Sequence, residues 1–182
     1  MTGKLLNALG YQGVWFASVA GAGRGLFWIG PLCAMAFACV VLATSDRPRA
    51  DARLVVLALA IGAAIDSTWI ALGWLEFNAA WPSAAFAPAW ILGLWLSLAL
   101  TLDHSLVFLR DRLWLAAALG AVGGPLAYWA ASRSGAVRLD APLVMVLSGL
   151  GLAWALLFPL LVRAAGTGQA APVQPATPRV PS

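Results

Sequence analysis

Charged residues are scarce in this sequence, and their scarcity excludes an ordinary soluble domain. Of 182 residues, 11 are lysine or arginine and 7 are aspartate or glutamate, which is 10% of the chain. Soluble globular domains carry about a quarter of their residues as charged side chains. Hydrophobic residues make up 62% of the chain, and the mean hydropathy is +0.87. A polytopic membrane protein without a second, soluble domain is therefore predicted.

Histidine and cysteine are also nearly absent, which argues against a metal centre or a disulfide. The chain has one histidine, His104, and two cysteines. Cys33 and Cys39 lie on one predicted helix, about 9 Å apart along its axis, which is beyond disulfide reach. The basic residues stand singly between apolar runs, so the net charge of +4 favours contact with anionic lipid over nucleic acid. We predict neither a metal site nor a cofactor.

Apolar runs of about 20 residues, the length that crosses a bilayer, recur along most of the chain. Lipid offers no partner to an unpaired backbone amide, and the alternation of a barrel strand is absent, so these runs are predicted to be helices. The predicted fold class is all-α, a polytopic bundle of six transmembrane helices within residues 1–163. The predicted spans are 5–22, 26–44, 54–75, 89–109, 113–131 and 141–162. Residues 164–182 are rich in proline and are predicted to form a disordered cytoplasmic tail.

Basic residues predict the orientation of the bundle. Eight of them fall on the side of the N-terminus: Lys4, Arg47, Arg49, Arg53, Arg110, Arg112, Arg163 and Arg179. Three fall on the opposite side: Arg24, Arg133 and Arg138. Since cytoplasmic loops carry the excess of lysine and arginine, both termini are predicted to be cytoplasmic.

The first span also has features of a cleavable signal peptide. Lys4 precedes its apolar stretch, and small residues follow at 20–22. Asn7, Tyr11 and Gln12 interrupt the apolar core that such a peptide needs, so we expect the span to be retained. The other five spans keep their orientation in either case.

Asp66 is the least expected residue inside a span. It lies near the middle of the third span, about 18 Å from the predicted cytoplasmic start of that helix. A carboxyl at that depth must be paired, hydrated or protonated. Gly62 and Gly73 share its helix face, which predicts close contact with another helix. Two roles stay open for Asp66: handling a ligand or a proton, and a structural hydrogen bond.

One face of the fourth span is small and polar. Within an arc of about 80° on a helical wheel lie Gly93, Ser97, Thr101 and His104. Such a face on a helix rich in leucine and tryptophan is expected to meet other helices rather than lipid. His104 is therefore predicted to point inward, as a neutral hydrogen-bonding imidazole or as a ligand- or proton-handling group. Asp103, turned by about 100°, is predicted to be an interfacial charge within reach of headgroups or an arginine.

The first span adds three polar residues, Asn7, Tyr11 and Gln12. Together with the polar residues of the third and fourth spans, they are predicted to form one internal polar cluster. For each residue taken alone, a hydrogen bond between helices is the simpler role. Ser105 is predicted to bond the carbonyl four residues back in its own helix.

The fifth span contains a glycine-proline motif. Gly120 and Gly124 have the spacing of four that lets two helix backbones approach closely. Pro125 cannot donate to the carbonyl of Ala121, so the helix is predicted to kink or open there. Packing alone explains the motif, and the wall of a cavity is the other interpretation.

Four stretches of the chain form distinctive blocks in a fixed order: NALGYQGVWF, IDSTWIALG, PAWILGLWLSLALTLDHSLVFL and GGPLAYWAASRSGAV. They resemble the recurring blocks of an uncharacterised bacterial inner-membrane family, the DUF2878 type, over nearly all of residues 7–163. The resemblance implies a small multi-spanning protein of the bacterial cytoplasmic membrane and no established activity. It also points toward lipid metabolism, because genes of the family lie near those of fatty-acid-modifying enzymes.

Three functions follow from these features. The leading hypothesis is a lipid-associated accessory or small-ligand-binding membrane protein, with membrane lipid, other membrane proteins or lipid-modifying enzymes as partners. Its internal polar pocket is predicted to be lined by Asp66, His104, Thr101, Gln12 and Tyr11, with Asn7 and Ser97 as further candidates. The alternative is a proton-coupled transporter in which Asp66 and His104 exchange protons. An intramembrane enzyme with His104 as general base comes third, because no nucleophile and orienting group accompany it.

Overall fold

The computed structural model describes residues 2–166, which form six α-helices and one two-stranded sheet. The helices are α1 (Thr2–Gly23), α2 (Ile29–Thr44), α3 (Pro48–Ala71), α4 (Ala89–Leu102), α5 (Leu113–Arg133) and α6 (Leu143–Gly166). The strands are β1 (Leu75–Phe77) and β2 (Val137–Leu139). The prediction of an all-α fold with six helices is confirmed, and the two short strands are an addition that no sequence pattern predicted.

Three of the helices, α3, α5 and α6, are long and apolar enough to cross a membrane. The helices α2 and α4 are apolar but shorter, with 16 and 14 residues. Length and composition therefore make the fold compatible with a membrane protein that has three candidate spans.

Successive helices run between two ends of the bundle. At the end that we call the sheet end, β1 pairs antiparallel with β2. There Phe27, which follows α1, stacks on Trp81, which follows β1, with ring centroids 5.6 Å apart. At the other end, called the histidine end, His104 follows α4 and contacts Asp51 in the first turn of α3. The connections after α1, α3 and α5 thus meet at the sheet end.

The sheet end forms where α3 and α5 each stop at a glycine. Gly73 and Gly135 have φ angles of 68° and 75°, the left-handed conformation that commonly ends a helix. Each glycine turns the chain into a three-residue strand. On these strands Arg138 pairs with Glu76 and also with Asp140, and the two carboxylates, Asp140 foremost, raise the pKa of Arg138.

The helix α4 lies at the centre of the bundle. Eleven of its 14 residues are buried, and it packs against α1, α2 and α3. Trp90 and Leu100 are among the largest fully buried side chains of the described residues. An apolar helix of this length is therefore stabilised mainly by the helices around it.

Two helix boundaries differ from the predicted ones at the histidine end. The fourth span was predicted to reach residue 109, but α4 ends at Leu102 and a 3₁₀ helix, Val107–Leu109, follows a turn. The helix stops there because the polar side chains of the turn bond to other elements, as described below. The helix α3 begins at Pro48, six residues before the predicted start, and proline is favourable in the first turn of a helix.

The last helix continues to Gly166, three residues into the predicted tail. The rest of that predicted tail, 167–182, lies outside the described residues.

Candidate functional site

Asp66 joins three helices through two hydrogen bonds. Its side chain, on α3, is fully buried at 0% exposure. The indole Nε1 of Trp95, on α4, donates to Oδ2 over 2.7 Å, and the hydroxyl of Tyr128, on α5, donates to Oδ1 over 2.5 Å. Both carboxyl oxygens therefore have a donor, which meets the requirement of a buried polar group.

A fourth helix joins this cluster through ring stacking. Trp154 of α6 lies parallel to Trp95, with ring centroids 4.8 Å apart and an interplanar angle of 11°. Gly62, one turn before Asp66, leaves room for the Trp95 ring, because a Cβ at Gly62 would lie 2.4 Å from it. We call Asp66, Trp95, Tyr128 and Trp154 the carboxyl cluster.

The two donors to Asp66 were missing from the set of predicted site residues. Neither Trp95 nor Tyr128 was among the residues predicted to line the internal polar pocket. Both side chains carry a donor that needs a partner when it is buried. That requirement is the signal that could have linked them to the buried carboxyl on α3.

A groove of about 480 Å³ lies in front of the carboxyl cluster, between α1 and α5. Nine aromatic side chains line it, among them Trp95, Tyr128 and Trp154. Two predicted site residues, Tyr11 and Gln12, also line it. No charged side chain lies along the groove in the described part of the chain. The groove is therefore an apolar, aromatic site with a few neutral polar groups.

Asp66 lies behind the wall of this groove rather than in it. It is absent from the lining, whereas its two donors, Trp95 and Tyr128, are present. The carboxyl thus holds two rings of the wall in place. Tyr11 lines the groove, and within residues 2–166 its hydroxyl makes no hydrogen bond, so it is available to a ligand.

His104 is partnered at the histidine end, apart from Asp66. Its Nε2 lies 3.3 Å from Oδ2 of Asp51, which also accepts a 2.5 Å hydrogen bond from the Ser45 hydroxyl. Asp51 and Asp66 are 15 positions apart on α3, which corresponds to about 22 Å along the helix. The structure therefore does not bring His104 and Asp66 into one pocket. Asp51 was not among the predicted site residues, because the third span was predicted to begin at residue 54.

Asn7 links α1 to the turn after α4. Its Nδ2 donates to the carbonyl of Leu100 over 3.2 Å, and its Oδ1 accepts a 2.7 Å hydrogen bond from the Ser105 hydroxyl. The prediction that Ser105 bonds its own helix is wrong, because α4 ends before residue 105 and leaves this hydroxyl free to reach α1.

The two polar residues of α4, Ser97 and Thr101, are buried, and each donates its hydroxyl hydrogen within its own helix. The Ser97 hydroxyl donates to the carbonyl of Gly93 over 2.8 Å, and the Thr101 hydroxyl donates to the carbonyl of Leu98 over 2.6 Å. Neither residue lines the groove. Both hydroxyls therefore donate within α4 and take no part in the groove.

Asp103 pairs with Arg110, and the pair holds the end of α6. The carboxylate of Asp103 is 5% exposed, and Arg110 also donates from Nη2 to the carbonyl of Ala165 over 3.5 Å. A basic side chain at the last turn of a helix satisfies free carbonyls there. Asp103 therefore reaches an arginine, as predicted, but its carboxylate is buried in the ion pair and is not an exposed interfacial charge.

The glycine-proline motif of α5 lies against α6. A Cβ at Gly120 would lie 2.3 Å from the carbonyl oxygen of Trp154, and one at Gly124 would lie 2.3 Å from the Trp154 ring. The helix continues through Pro125 to Arg133 without interruption. Because neither glycine has a side chain, Trp154 of the carboxyl cluster packs directly on α5. Both also line the groove.

Within residues 2–166, no group of three or more histidine, cysteine, aspartate or glutamate side chains is placed to hold an ion.

A family model described as a protein of unknown function (DUF2878) matches residues 4–160. No curated protein and no solved structure shows significant similarity to the chain.

Proposed function

Given that the chain belongs to the DUF2878 family, whose description assigns no function, we infer its function from the groove. We propose that the protein crosses the membrane six times and binds the apolar chain of a membrane lipid in the groove between α1 and α5. The observation that carries the proposal is an uncharged, aromatic groove whose rim is formed by exposed apolar side chains. Phe16 is 65% exposed, Leu119 is 44% exposed and Leu126 is 54% exposed.

The arrangement of the two ends supports six crossings. Connections after α1, α3 and α5 lie at the sheet end, while Asp51, His104 and the end of α6 lie at the histidine end. A chain that passes between two ends six times places both termini on one side. The excess of basic residues at the histidine end favours the cytoplasm for that side, in the inner membrane of a bacterium.

Labelling of single cysteines tests this topology. In a background of Cys33→Ala and Cys39→Ala, a membrane-impermeant maleimide should label Ala84→Cys, which is exposed at the sheet end. It should label Asp111→Cys, exposed at the histidine end, only after the cells are permeabilised. Labelling of both positions in intact cells would contradict six crossings with a cytoplasmic histidine end.

A lipid chain suits the groove better than a soluble ligand does. In a bilayer the rim residues face acyl chains, so a chain can enter sideways without crossing a polar barrier. The lining offers aromatic and aliphatic surface for contact, and it offers no charge that would need a partner. Small-molecule binding sites are mostly apolar with a small number of polar groups, and here Tyr11 and Gln12 supply such groups.

Gly123 provides a test that fills the groove without disturbing the fold. It lines the groove on α5, and a Cβ there would meet no atom within 4 Å. Gly123→Leu should therefore occupy the space of the ligand and lower the amount of co-purifying lipid at least about tenfold, because a leucine excludes any chain from the same volume. Mass spectrometry of lipid extracted from the purified protein measures the effect.

The matched control is Gly13→Leu on α1. Gly13 is exposed and lies outside the groove, and a Cβ at this position would also meet no atom within 4 Å. This variant should keep the lipid content of the unchanged protein. Equal lipid content in the two variants would overturn the proposal.

The two other functions have less support. A transporter that shuttles protons between Asp66 and His104 needs these groups to communicate, yet they bond to separate partners at different depths. An enzyme with His104 as general base needs a nucleophile beside it, and the nearby Ser45 hydroxyl bonds Asp51 instead of the imidazole. Lipid binding uses the groove as it stands.

A further inference from the structure

The groove continues toward the sheet end into a second hollow. This hollow measures about 730 Å³ and shares Trp15, Phe16 and Val19 of α1 with the groove. It reaches Gly23, Arg24 and Ser134, where α1 and α5 come together. A Cβ at Gly23 would lie 2.2 Å from the carbonyl oxygen of Ser134, so the two helices are in contact at this point. Groove and hollow form one path along α1.

Arg24 is the only charged residue along this path within the described chain. Its Nη1 donates to the carbonyl of Ala20 over 3.1 Å, which holds the guanidinium beside the end of α1. No carboxylate of residues 2–166 pairs with it. The acids of the sheet end are engaged elsewhere, because Glu76 and Asp140 both pair with Arg138.

The distance from this cation to the deep end of the groove matches one lipid chain. Arg24 and Tyr11 are 13 positions apart, which is about 20 Å along α1. The hydrocarbon core of a bilayer is about 30 Å thick, so one leaflet contributes about 15 Å. A molecule whose headgroup lies at Arg24 can therefore place a full chain along the apolar part of the path.

We infer that the lipid bound in the groove carries an acidic headgroup, a carboxylate or a phosphate, that pairs with Arg24 while its chain lies between α1 and α5. This inference rests on the proposed function and adds the class of ligand. Arginine forms charge-assisted, often bidentate hydrogen bonds with both kinds of oxyanion. The apolar lining leaves the deeper part of the groove to the chain, because a second charge there would lack a partner.

Binding of three defined amphiphiles to the full, detergent-purified chain tests the inference. Oleate offers a carboxylate, lysophosphatidylglycerol a phosphate, and monoolein a neutral headgroup on a similar chain. Arg24→Gln should weaken the binding of the acidic ligand about tenfold and leave monoolein unchanged, because it removes one charge-assisted interaction. Titration followed by native mass spectrometry measures the dissociation constants.

Two control variants separate a lost headgroup contact from a disturbed fold. Arg24→Lys keeps the charge and should restore most of the binding. Arg133→Gln removes another exposed cation of the sheet end, one that does not line the hollow, and should change nothing. Preference of the unchanged protein for oleate or for lysophosphatidylglycerol distinguishes the two sources of the acidic group.

The ways in which the inference can fail are distinguishable. If all three amphiphiles bind equally to the unchanged protein and to Arg24→Gln, while Gly123→Leu abolishes binding, the acidic headgroup is wrong and the groove remains the site. If Gly123→Leu binds every amphiphile as well as Gly13→Leu does, the lipid-binding function itself is wrong.

Discussion

Asp66→Ala is expected to lower the free energy of unfolding by about 2–6 kcal/mol, which is the sum for two buried donors that each lose an acceptor at about 1–3 kcal/mol. The indole of Trp95 and the hydroxyl of Tyr128 would both remain inside the bundle without a partner. The substitution would also remove both hydrogen bonds by which α3 is linked to α4 and α5. Reversible unfolding in mixed detergent micelles, followed by circular dichroism, measures the change.

Two further substitutions decide whether the effect comes from these hydrogen bonds. Asp66→Asn keeps an oxygen that accepts from Trp95 and an amide that can donate to Tyr128, so it should lose less than half as much stability as Asp66→Ala. Asp111→Ala removes an exposed acid at the histidine end and should be neutral. A stability of Asp66→Ala equal to that of Asp111→Ala would show that the carboxyl does not hold the cluster together.

Gly120→Leu is expected to separate α5 from α6 and to cost more than about 3 kcal/mol, the upper end of the usual overpacking penalty. The added Cβ would lie 2.3 Å from the carbonyl oxygen of Trp154 and 2.9 Å from the Cβ of Phe158. A backbone oxygen cannot move aside as the end of a flexible side chain can. The strain therefore has to be relieved by moving a whole helix.

Gly123→Leu is the internal comparison for this prediction, since it makes the same change three positions later on the same helix. No atom lies within 4 Å of its Cβ position, so it should retain nearly full stability. The same unfolding experiment compares the two variants. If both variants unfold at the same detergent concentration, the close contact of α5 with α6 at Gly120 is not a determinant of stability.

The sequence predicted the elements of the fold better than their ends. Apolar runs are a strong signal for helices, because a lipid-facing backbone must satisfy its own hydrogen bonds. The end of α4 was placed seven residues too late, since the apolar pattern continues through Leu106, Val107 and Leu109. That boundary depends on partners of the turn in other helices, which a local pattern does not contain.

The error at α4 explains why His104 was grouped with the wrong residues. A helical wheel assigns a direction only while the chain remains helical, and His104 lies two residues beyond the end of α4. Its contact with Asp51 spans 53 positions of sequence. A wheel through Gly93, Ser97 and Thr101 was therefore meaningful for those residues and misleading for the histidine.

For the candidate site, the sequence identified the residue that needs partners but not the partners. Asp66 stood out by its depth, and Gly62 on the same face predicted a close helix neighbour; the described structure places the ring of Trp95 there. Trp95 and Tyr128 are 29 and 62 positions away from Asp66. The need of each buried donor for an acceptor makes Trp95 and Tyr128 candidates, but a single sequence does not show that they meet Asp66, because the pairing arises from how the helices pack. The groove is equally invisible, since it is a space between α1 and α5 and not a motif.

The parallel stacking of Trp95 on Trp154 has an optical consequence. Two indoles held 4.8 Å apart at 11° are close enough for their electronic transitions to couple, and the Trp95 indole is held at its edge by Asp66. Because both rings belong to the wall of the groove, a guest that tilts either one alters the near-ultraviolet dichroism of the pair. The near-ultraviolet dichroism of these two indoles thus reports whether the groove is occupied.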